Sequence, residues 1–436
     1  MKQIPANPVR LHHTAQFHRA KGRNVEKTRN SPFFLAPPLS TITPDEYFER
    51  IHRIVSLLDE ENTRIIRTMK QQGPRNILNI ARESKLPYTT VYSRVVKLES
   101  MGVLRTWIHP NYSKLGLSRA LVYATPFVGK ELMAKEALRI PGYWLRFARC
   151  IGDCNGYYSQ HGIPASHQRD FELYLEQARE RGALKNFQLF WLGEPRTTIP
   201  NFEYYDMKNK TWRFDWNQWL ELLSKGRGSS RSREPTKAEG GFDAKDLIIL
   251  KELSKNARTT LADMSKLLSM TLPATKYRFD DLVERGFIQD YVIDILPFAP
   301  DISQLSELRF DFRNEGSLRD AREILSTLPF VLNSSPVNGL NSLTSRVYIP
   351  RSEIGNLMTL ISHLARDGIL TGYHYSEIDP ATIQTQTFGF KAYDDNTGWR
   401  YDNRAYLGSL DNLLSTWPKS ESAPVFLEPS VAIASQ

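Results

Sequence analysis

Cysteine and long apolar runs are scarce in this sequence. Its 436 residues include two cysteines, Cys150 and Cys154, and so few thiols exclude a small scaffold held together by disulfides. No apolar run approaches the roughly 20 residues that a transmembrane helix needs. The N-terminus lacks the apolar core of a signal peptide. We therefore expect a cytoplasmic protein that does not act in a membrane.

Recognisable catalytic motifs are missing as well. We find no nucleophile elbow, phosphate-binding loop, HExxH helix or paired catalytic carboxylates. Cys150 and Cys154 could bind a metal or form a redox pair, but two further ligands are missing nearby, which favours a structural role. The sequence therefore predicts no metal site, no cofactor and no enzyme.

The length and the charge are more informative. A chain of 436 residues with 41% hydrophobic residues predicts several domains with well-filled cores. Residues 1–30 hold seven Lys/Arg and one Glu, and residues 224–241 hold five Lys/Arg and two Glu, which together account for the net charge of +9. Basic segments attract polyanions such as nucleic acid without reading their sequence. Alternatively, they only keep the chain in solution.

An unusual phrase occurs twice. "YDMKNKTWRFD" begins at Tyr205 and "YDDNTGWRYD" begins at Tyr393, so that Trp212 matches Trp399. Each phrase reads as an aromatic hairpin with a polar turn. Such a recurrence indicates a duplicated unit, and the similarity extends upstream of both phrases.

Upstream, "SRVVKLESMGVL" aligns with "YRFDDLVERGFI", which places Arg94 over Arg278 and Gly102 over Gly286. Each segment predicts three short helices, the last ending at the glycine, followed by a β-strand. This is a winged-helix-like unit, here called a head. The alternation that follows each head reads βαββαβ, which is a ferredoxin-like domain, here called a body.

The predicted fold is therefore α+β and internally duplicated, with two helix-turn-helix heads, two ferredoxin-like bodies and aromatic hairpin extensions. The predicted domains are a basic tail (1–44), the first head (45–110), the first body with its hairpin (111–223), a flexible linker (224–241), the second head (242–298), the second body with its hairpin (299–417) and a tail (418–436).

The order of head and body resembles the Lrp/AsnC (feast/famine) regulators. The second head carries the closer match, with Asp243, Asp246 and "NAR" at 256–258, and the first head keeps "SRVVKLESMGVL". The resemblance covers roughly 59–192 and 243–378 and implies a bacterial or archaeal transcription regulator that binds double-stranded DNA. It also implies that the bodies pair, here within one chain, that the chain could oligomerise further, and that an amino acid could act as effector.

The third helix of each head should enter the major groove. The residues predicted to face DNA are Tyr88, Thr89, Thr90, Tyr92, Ser93, Arg94 and Lys97 in the first head and Thr275, Lys276 and Arg278 in the second. Residues 59–105 carry a net charge of +4 and residues 243–290 carry none, so we expect the first head to bind more strongly. Alternatively, neither head touches DNA.

The resemblance places an effector loop at one turn of each body. The predicted ligand-binding residues are Gly152, Asp153, Asn155, Asn338 and Gly339. Neither turn matches the family pattern well, so two alternatives are left: a degenerate pocket, or a site for a ligand other than an amino acid. We expect the aromatic residues of the hairpins to pack against the protein rather than to stack on nucleobases. The alternative functions are an Lrp-like sirohaem decarboxylase and an architectural DNA-binding protein.

Overall fold

The computed structural model describes residues 29–30, 43–226 and 241–417. Nearly all of the basic tail, most of the linker and the tail after Trp417 lie outside the described residues. The helices are α1 (Pro44–Ser56), α2 (Glu60–Gln72), α3 (Ile77–Ser84), α4 (Tyr88–Ser100), α5 (Glu131–Leu138), α6 (Gln168–Glu180), α7 (Trp216–Lys225), α8 (Ala244–Lys255), α9 (Leu261–Leu268), α10 (Leu272–Glu284), α11 (Glu315–Leu325), α12 (Ile354–Arg366) and α13 (Asn403–Thr416).

The strands are β1 (Arg29–Asn30), β2 (Leu104–Pro110), β3 (Leu117–Thr125), β4 (Trp144–Gly152), β5 (Gly156–Pro164), β6 (Asn186–Leu192), β7 (Arg196–Thr197), β8 (Tyr205–Asp206), β9 (Thr211–Trp212), β10 (Ile288–Ile295), β11 (Ser303–Phe312), β12 (Val331–Val337), β13 (Ser342–Pro350), β14 (Leu370–Ile378), β15 (Gln384–Thr385), β16 (Tyr393–Asp394) and β17 (Gly398–Trp399). The mixture of helices and strands makes the fold α+β, as predicted.

Each head consists of three helices and a strand: α2, α3, α4 and β2 in the first, and α8, α9, α10 and β10 in the second. The side chain of Asp59 caps α2 by accepting from the Asn62 amide at 2.7 Å. The apolar positions of α2 face inward, and Ile65, Ile66 and Met69 are fully buried. These residues recur at helical spacing in the sequence, which places them together on the buried face of α2.

The strands of the two heads pair with each other. β2 and β10 form an antiparallel ribbon in which Trp107 lies opposite Val292. Ile293 on β10 packs in the core of the first head, whereas Ile108 on β2 packs in the core of the second. Each head therefore completes its core with a strand from the other half of the chain, an arrangement the sequence did not reveal.

The bodies are four-stranded sheets that close into one barrel. Residues 117–192 run β3-α5-β4-β5-α6-β6, and residues 303–378 run β11-α11-β12-β13-α12-β14. Within the described residues, eight strands follow the order β4-β14-β11-β13-β12-β6-β3-β5, and β5 pairs back onto β4. The seams between the two sheets are β4–β14 and β6–β12. Closure leaves no free edge along this path.

A buried polar contact crosses the barrel interior. The guanidinium of Arg346 on β13 lies 3.0 Å from the carboxylate of Glu307 on β11 and also donates to the Tyr158 hydroxyl on β5. The Arg346 and Glu307 side chains are 6% and 2% exposed. Arg346 and Glu307 belong to the second body and Tyr158 to the first, so the contact joins the two sheets.

The two aromatic hairpins pack against the opposite halves of the chain. Trp212 Nε1 donates to the Pro297 carbonyl at 3.0 Å, and Trp399 Nε1 donates to the Leu115 carbonyl at 2.6 Å. Each accepting carbonyl lies just after the head strand of the other half. The packing interpretation of the hairpins is therefore confirmed. The helices that follow, α7 and α13, were not predicted.

Burial of His161 on β5 predicts a pH-dependent stability. The ring is fully buried beside the Ser159 hydroxyl, and burial lowers the pKa of His161 to about 3. Because an unfolded histidine titrates near pH 6.5, protonation favours the unfolded chain as the pH falls below that value. Lowering the pH from 7 to 5 should therefore reduce the free energy of unfolding by roughly 2 kcal/mol through His161 alone.

Urea unfolding of the wild type and of His161→Gln at both pH values measures this contribution. The variant should lose about that much less stability between pH 7 and pH 5. An equal loss in both proteins would contradict the assignment.

Candidate nucleic-acid interface and inter-body crevice

Helix α4 divides into a buried and an exposed face. Val91, Val95 and Leu98, which recur at the spacing i, i+4 and i+7, are buried. The DNA-facing candidates that the structure leaves exposed are Tyr88, Thr89, Tyr92, Ser93 and Lys97, and Thr90 is half-buried. The exposed face therefore carries hydroxyls, two phenols and one cation, which are groups that donate and accept hydrogen bonds.

The phenols form a defined pair. Tyr88 and Tyr92 lie one helical turn apart, with ring centroids separated by 6.1 Å and ring planes inclined by 18°. Both side chains remain about half exposed. Stacking holds the two hydroxyls on one side of α4 before any partner binds.

Arg94 was predicted to face DNA, but its side chain does not extend into solvent. Its guanidinium contacts Asp59 at 2.7 Å and also binds the Glu61 carboxylate. Burial opposes its charge, but the hydrogen bond that Arg94 donates to Asp59 and then the charges of both carboxylates raise the pKa of Arg94. The residue thus ties α4 to the N-terminus of α2, because these acids lie at the start of that helix.

The second head repeats this tie. Arg278 contacts Asp243 at 2.9 Å and Asp246 at 2.8 Å. Thr275 is fully buried and donates to the Thr271 carbonyl, so its prediction as a DNA-facing residue was wrong. The signal was available, because Thr275 lies 184 residues after the buried Val91 and is followed by Phe279 and Leu282 at the same helical spacing.

The exposed face of α10 carries different groups. Lys276 is exposed, as predicted, but forms an ion pair with Asp280 one turn away. Tyr277, which the sequence analysis did not select, is 74% exposed. A large aromatic residue among the exposed positions of a helix was the available signal.

The two heads are held against each other. Arg258 of the second head contacts Glu99, in the last turn of α4, at 3.0 Å. Arg75 of the first head donates to the Ala257 carbonyl, and its guanidinium lies 4.6 Å from the ring centroid of Phe279 on α10. Together with the β2–β10 ribbon, these contacts fix the spacing between α4 and α10.

A crevice opens where the β4–β5 turn meets β14 of the other body. Its volume is about 430 Å³ including open solvent, and it is lined by Tyr123, Thr125, Asp153, Cys154, Asn186, Phe187, Gln188, Arg309, His374 and Ser376. Asp153 lies 3.3 Å from His374, and the Arg309 guanidinium lies 4.3 Å from the ring centroid of Phe190. The lining thus offers both an acid and a base.

The predicted ligand-binding residues occupy different positions around this seam. Asp153 lines the crevice, and Asn155 lines a neighbouring one. Gly152 has a φ of +127°, and a Cβ there would lie 2.5 Å from the Tyr375 carbonyl, which explains the glycine by close packing. The backbone amide of Asn338 donates to the Trp191 carbonyl at the β6–β12 seam, and Gly339 occupies the adjoining turn. Gly152, Asn338 and Gly339 therefore have structural roles at the seams and turns of the barrel and do not line this crevice.

The two thiols lie side by side. Cys150 and Cys154 are buried and free, and they share a hydrogen bond. That bond is the first cause that lowers the pKa of Cys154, to about 7, and raises the pKa of Cys150. Residues 43–226 and 241–417 contain no group of three or more His, Cys, Asp or Glu arranged to hold a metal. No described helix has the length and apolarity to cross a bilayer.

Comparison with known families agrees with the geometry of the second head. The family of winged helix-turn-helix DNA-binding domains matches residues 242–289. The HTH-type transcriptional regulator LrpA of Pyrococcus abyssi is 36% identical over 89 residues, which are 20% of this chain and 62% of that protein. LrpA of Pyrococcus horikoshii is 36% identical over 90 residues, with 21% and 63% covered. Over about a fifth of its length, the chain is similar to regulators of this kind.

The alignments with the Lrp/AsnC relatives span less than two thirds of their length. Among solved structures, the sirohaem decarboxylase NirDL is 13% identical, covers 82% of this chain and 99% of its own, and has a TM-score of 0.45. The leucine response regulatory protein LrpA of Mycobacterium tuberculosis is 19% identical, covers 31% of this chain and 93% of its own, and has a TM-score of 0.25.

The tie between α4 and α2 yields a stability prediction. Arg94→Ala should lower the free energy of unfolding by about 1–2 kcal/mol, because it removes charge-assisted hydrogen bonds to part-exposed carboxylates. Lys97→Ala, three residues along the same helix, is the matched control and should change stability by less than about 0.5 kcal/mol. Urea unfolding measures both variants, and equal stabilities of the two would refute the structural role of Arg94.

Proposed function

We propose that the chain is a sequence-specific DNA-binding transcription regulator built from two fused Lrp/AsnC-type units, with the domain boundaries that the sequence predicted. The exposed face of α4 is the observation that carries this proposal. It presents hydrogen-bonding side chains on a helix whose opposite face is buried. The match to winged helix-turn-helix domains and the LrpA relatives support it.

In this proposal, α4 enters the major groove. Tyr88, Tyr92 and Ser93 contact base edges with their hydroxyls, and Lys97 contacts phosphate. Arg94 acts through position rather than contact, since its guanidinium is engaged by carboxylates at the start of α2. The basic stretches 1–30 and 224–241 add attraction that does not depend on DNA sequence.

The crevice between the bodies supplies a means of regulation. Asp153 can bind an ammonium group, and Arg309 can bind a carboxylate that takes the place of its present partner Asp311, which lies 3.3 Å away, so the pair suits an amino acid. Asp153 accepts from the Tyr375 amide at 2.9 Å, so a ligand there would contact both bodies. Binding that favours one arrangement of the seam would alter the spacing of the heads.

We propose a binding role rather than catalysis, in line with the names of the curated relatives. Two alternatives make different demands on experiment. A sirohaem decarboxylase would bind a tetrapyrrole and show its absorbance. The affinity of an architectural protein for DNA would rise steeply as the salt concentration falls, but the protein would prefer no sequence.

Selection of bound fragments from random DNA by the full chain tests the proposal. A defined motif is expected. Lys97→Glu should weaken binding to that motif about tenfold and reduce the slope of log affinity against log salt by about one or more, because a phosphate contact is lost. Lys208→Glu, on the exposed turn between β8 and β9, is the control for charge alone and should have a much smaller effect.

Two results would refute this function. Tight binding without a motif, unaffected by Lys97→Glu, would indicate an architectural protein. Failure to bind DNA, together with a new absorbance band on adding sirohaem, would indicate the decarboxylase.

The ligand site is tested by thermal unfolding with each of the twenty amino acids. One or a few should raise the midpoint, because a ligand bound to the folded state stabilises it. Asp153→Asn should abolish the rise, since it removes the charge but keeps an acceptor for the Tyr375 amide. Glu180→Gln, on the exposed end of α6, should leave the rise intact. No rise with any amino acid would count against this ligand class.

A further inference from the structure

We infer that the preferred DNA target is asymmetric, with two dissimilar half-sites bound in a single orientation. This inference rests on the proposed function. It arises because α4 and α10 are placed equivalently within their heads but expose different chemistry.

The equivalence of the two helices is positional. Both contain 13 residues, Tyr88–Ser100 and Leu272–Glu284, and both end two residues before the glycine that stops them. Arg94 and Arg278, which lie 184 residues apart, each bind carboxylates at the start of the first helix of their own head. Exposed positions separated by 184 residues therefore occupy the same place on the two heads.

The first difference lies at the N-terminal turns, which reach bases in helix-turn-helix docking. The stacked pair Tyr88 and Tyr92 corresponds to Leu272 and Lys276. Leu272 is 51% exposed, and Lys276 is paired with Asp280. Two phenolic hydroxyls in one head are thus replaced by an apolar side chain and a neutralised cation in the other.

The second difference is one of charge. Lys97 corresponds to Asp281, which forms an ion pair with Arg285 at 2.9 Å. The small Ser93 corresponds to Tyr277, which is largely exposed. A cation suited to phosphate on α4 is therefore a carboxylate on α10, and the most exposed aromatic ring lies one position further along α10 than along α4, about 100° around the helix.

These groups recognise different bases. Hydroxyls accept from or donate to several base edges, whereas an apolar side chain such as Leu272 contacts the thymine methyl. An inverted repeat would present the same edges twice and would suit one head at most. Because contacts such as Arg258–Glu99 fix the heads relative to each other, the complex has one favoured direction on DNA.

A matched pair of exposed substitutions tests this inference. Tyr92→Ala and Tyr277→Ala both remove an aromatic side chain from an exposed position, so neither should disturb the fold. DNA selection with the wild type should yield a motif whose halves are not inverted repeats. Tyr92→Ala should reduce base discrimination about tenfold in one half only, and Tyr277→Ala in the other half only.

The outcomes separate this inference from the function beneath it. A motif with inverted halves that both variants weaken equally would overturn the asymmetry and leave the regulator intact. A motif confined to one half and unaffected by Tyr277→Ala would also overturn it, since α10 would then read no bases. Absence of any motif would remove the proposed function itself.

Discussion

Backbone pairing between the two halves of the chain is the constraint on which the rest of the structure depends. A four-stranded sheet has two edges whose amides and carbonyls need partners. Each body finds them in the other body, at the β4–β14 and β6–β12 seams, and each head strand finds its partner in the other head. Neither half would have a complete core alone, because Ile293 and Ile108 are exchanged between the heads.

The same constraint controls the interior of the barrel. Arg346, Glu307 and Tyr158 form a contact that is removed from water and reaches across both sheets. A buried charge is tolerated when its partners satisfy it, and a shifted register would leave the arginine unpaired at considerable cost. Such a group therefore adds little net stability but favours one pairing of the sheets over others. That selectivity is what a closed barrel of similar strands requires.

Much of the fold was predictable, because it depends on local periodicity. Thr43 and Glu46 carry the sequence pattern of a capping box and form one, and the apolar residues of α2 and α4 recur at helical spacing and are buried. Each signal lies within a few turns of one helix. The helices α7 and α13 were missed because aromatic residues dominate their surroundings, although Asp215 and Asp402 cap them in the usual way.

The candidate site was less predictable, because its residues take their roles from distant partners. An arginine on a helix facing DNA is a natural reader of guanine, but Arg94 is claimed by acids 35 and 33 positions earlier. Pattern alone cannot distinguish a free guanidinium from an engaged one. The exchange of head strands is equally invisible, since β2 and β10 would pair just as plausibly within their own heads.

The proposed fusion of two units in one chain removes a restriction that identical subunits carry. In a symmetric dimer, every change in the recognition helix appears twice, so both half-sites must change together. In this chain, the arginine ties and the shared strands keep α4 and α10 in equivalent positions, while the exposed residues are free to differ. Under the proposed function, the architecture separates the geometry of binding, which both halves maintain jointly, from the reading of bases, which falls to the exposed face of each helix.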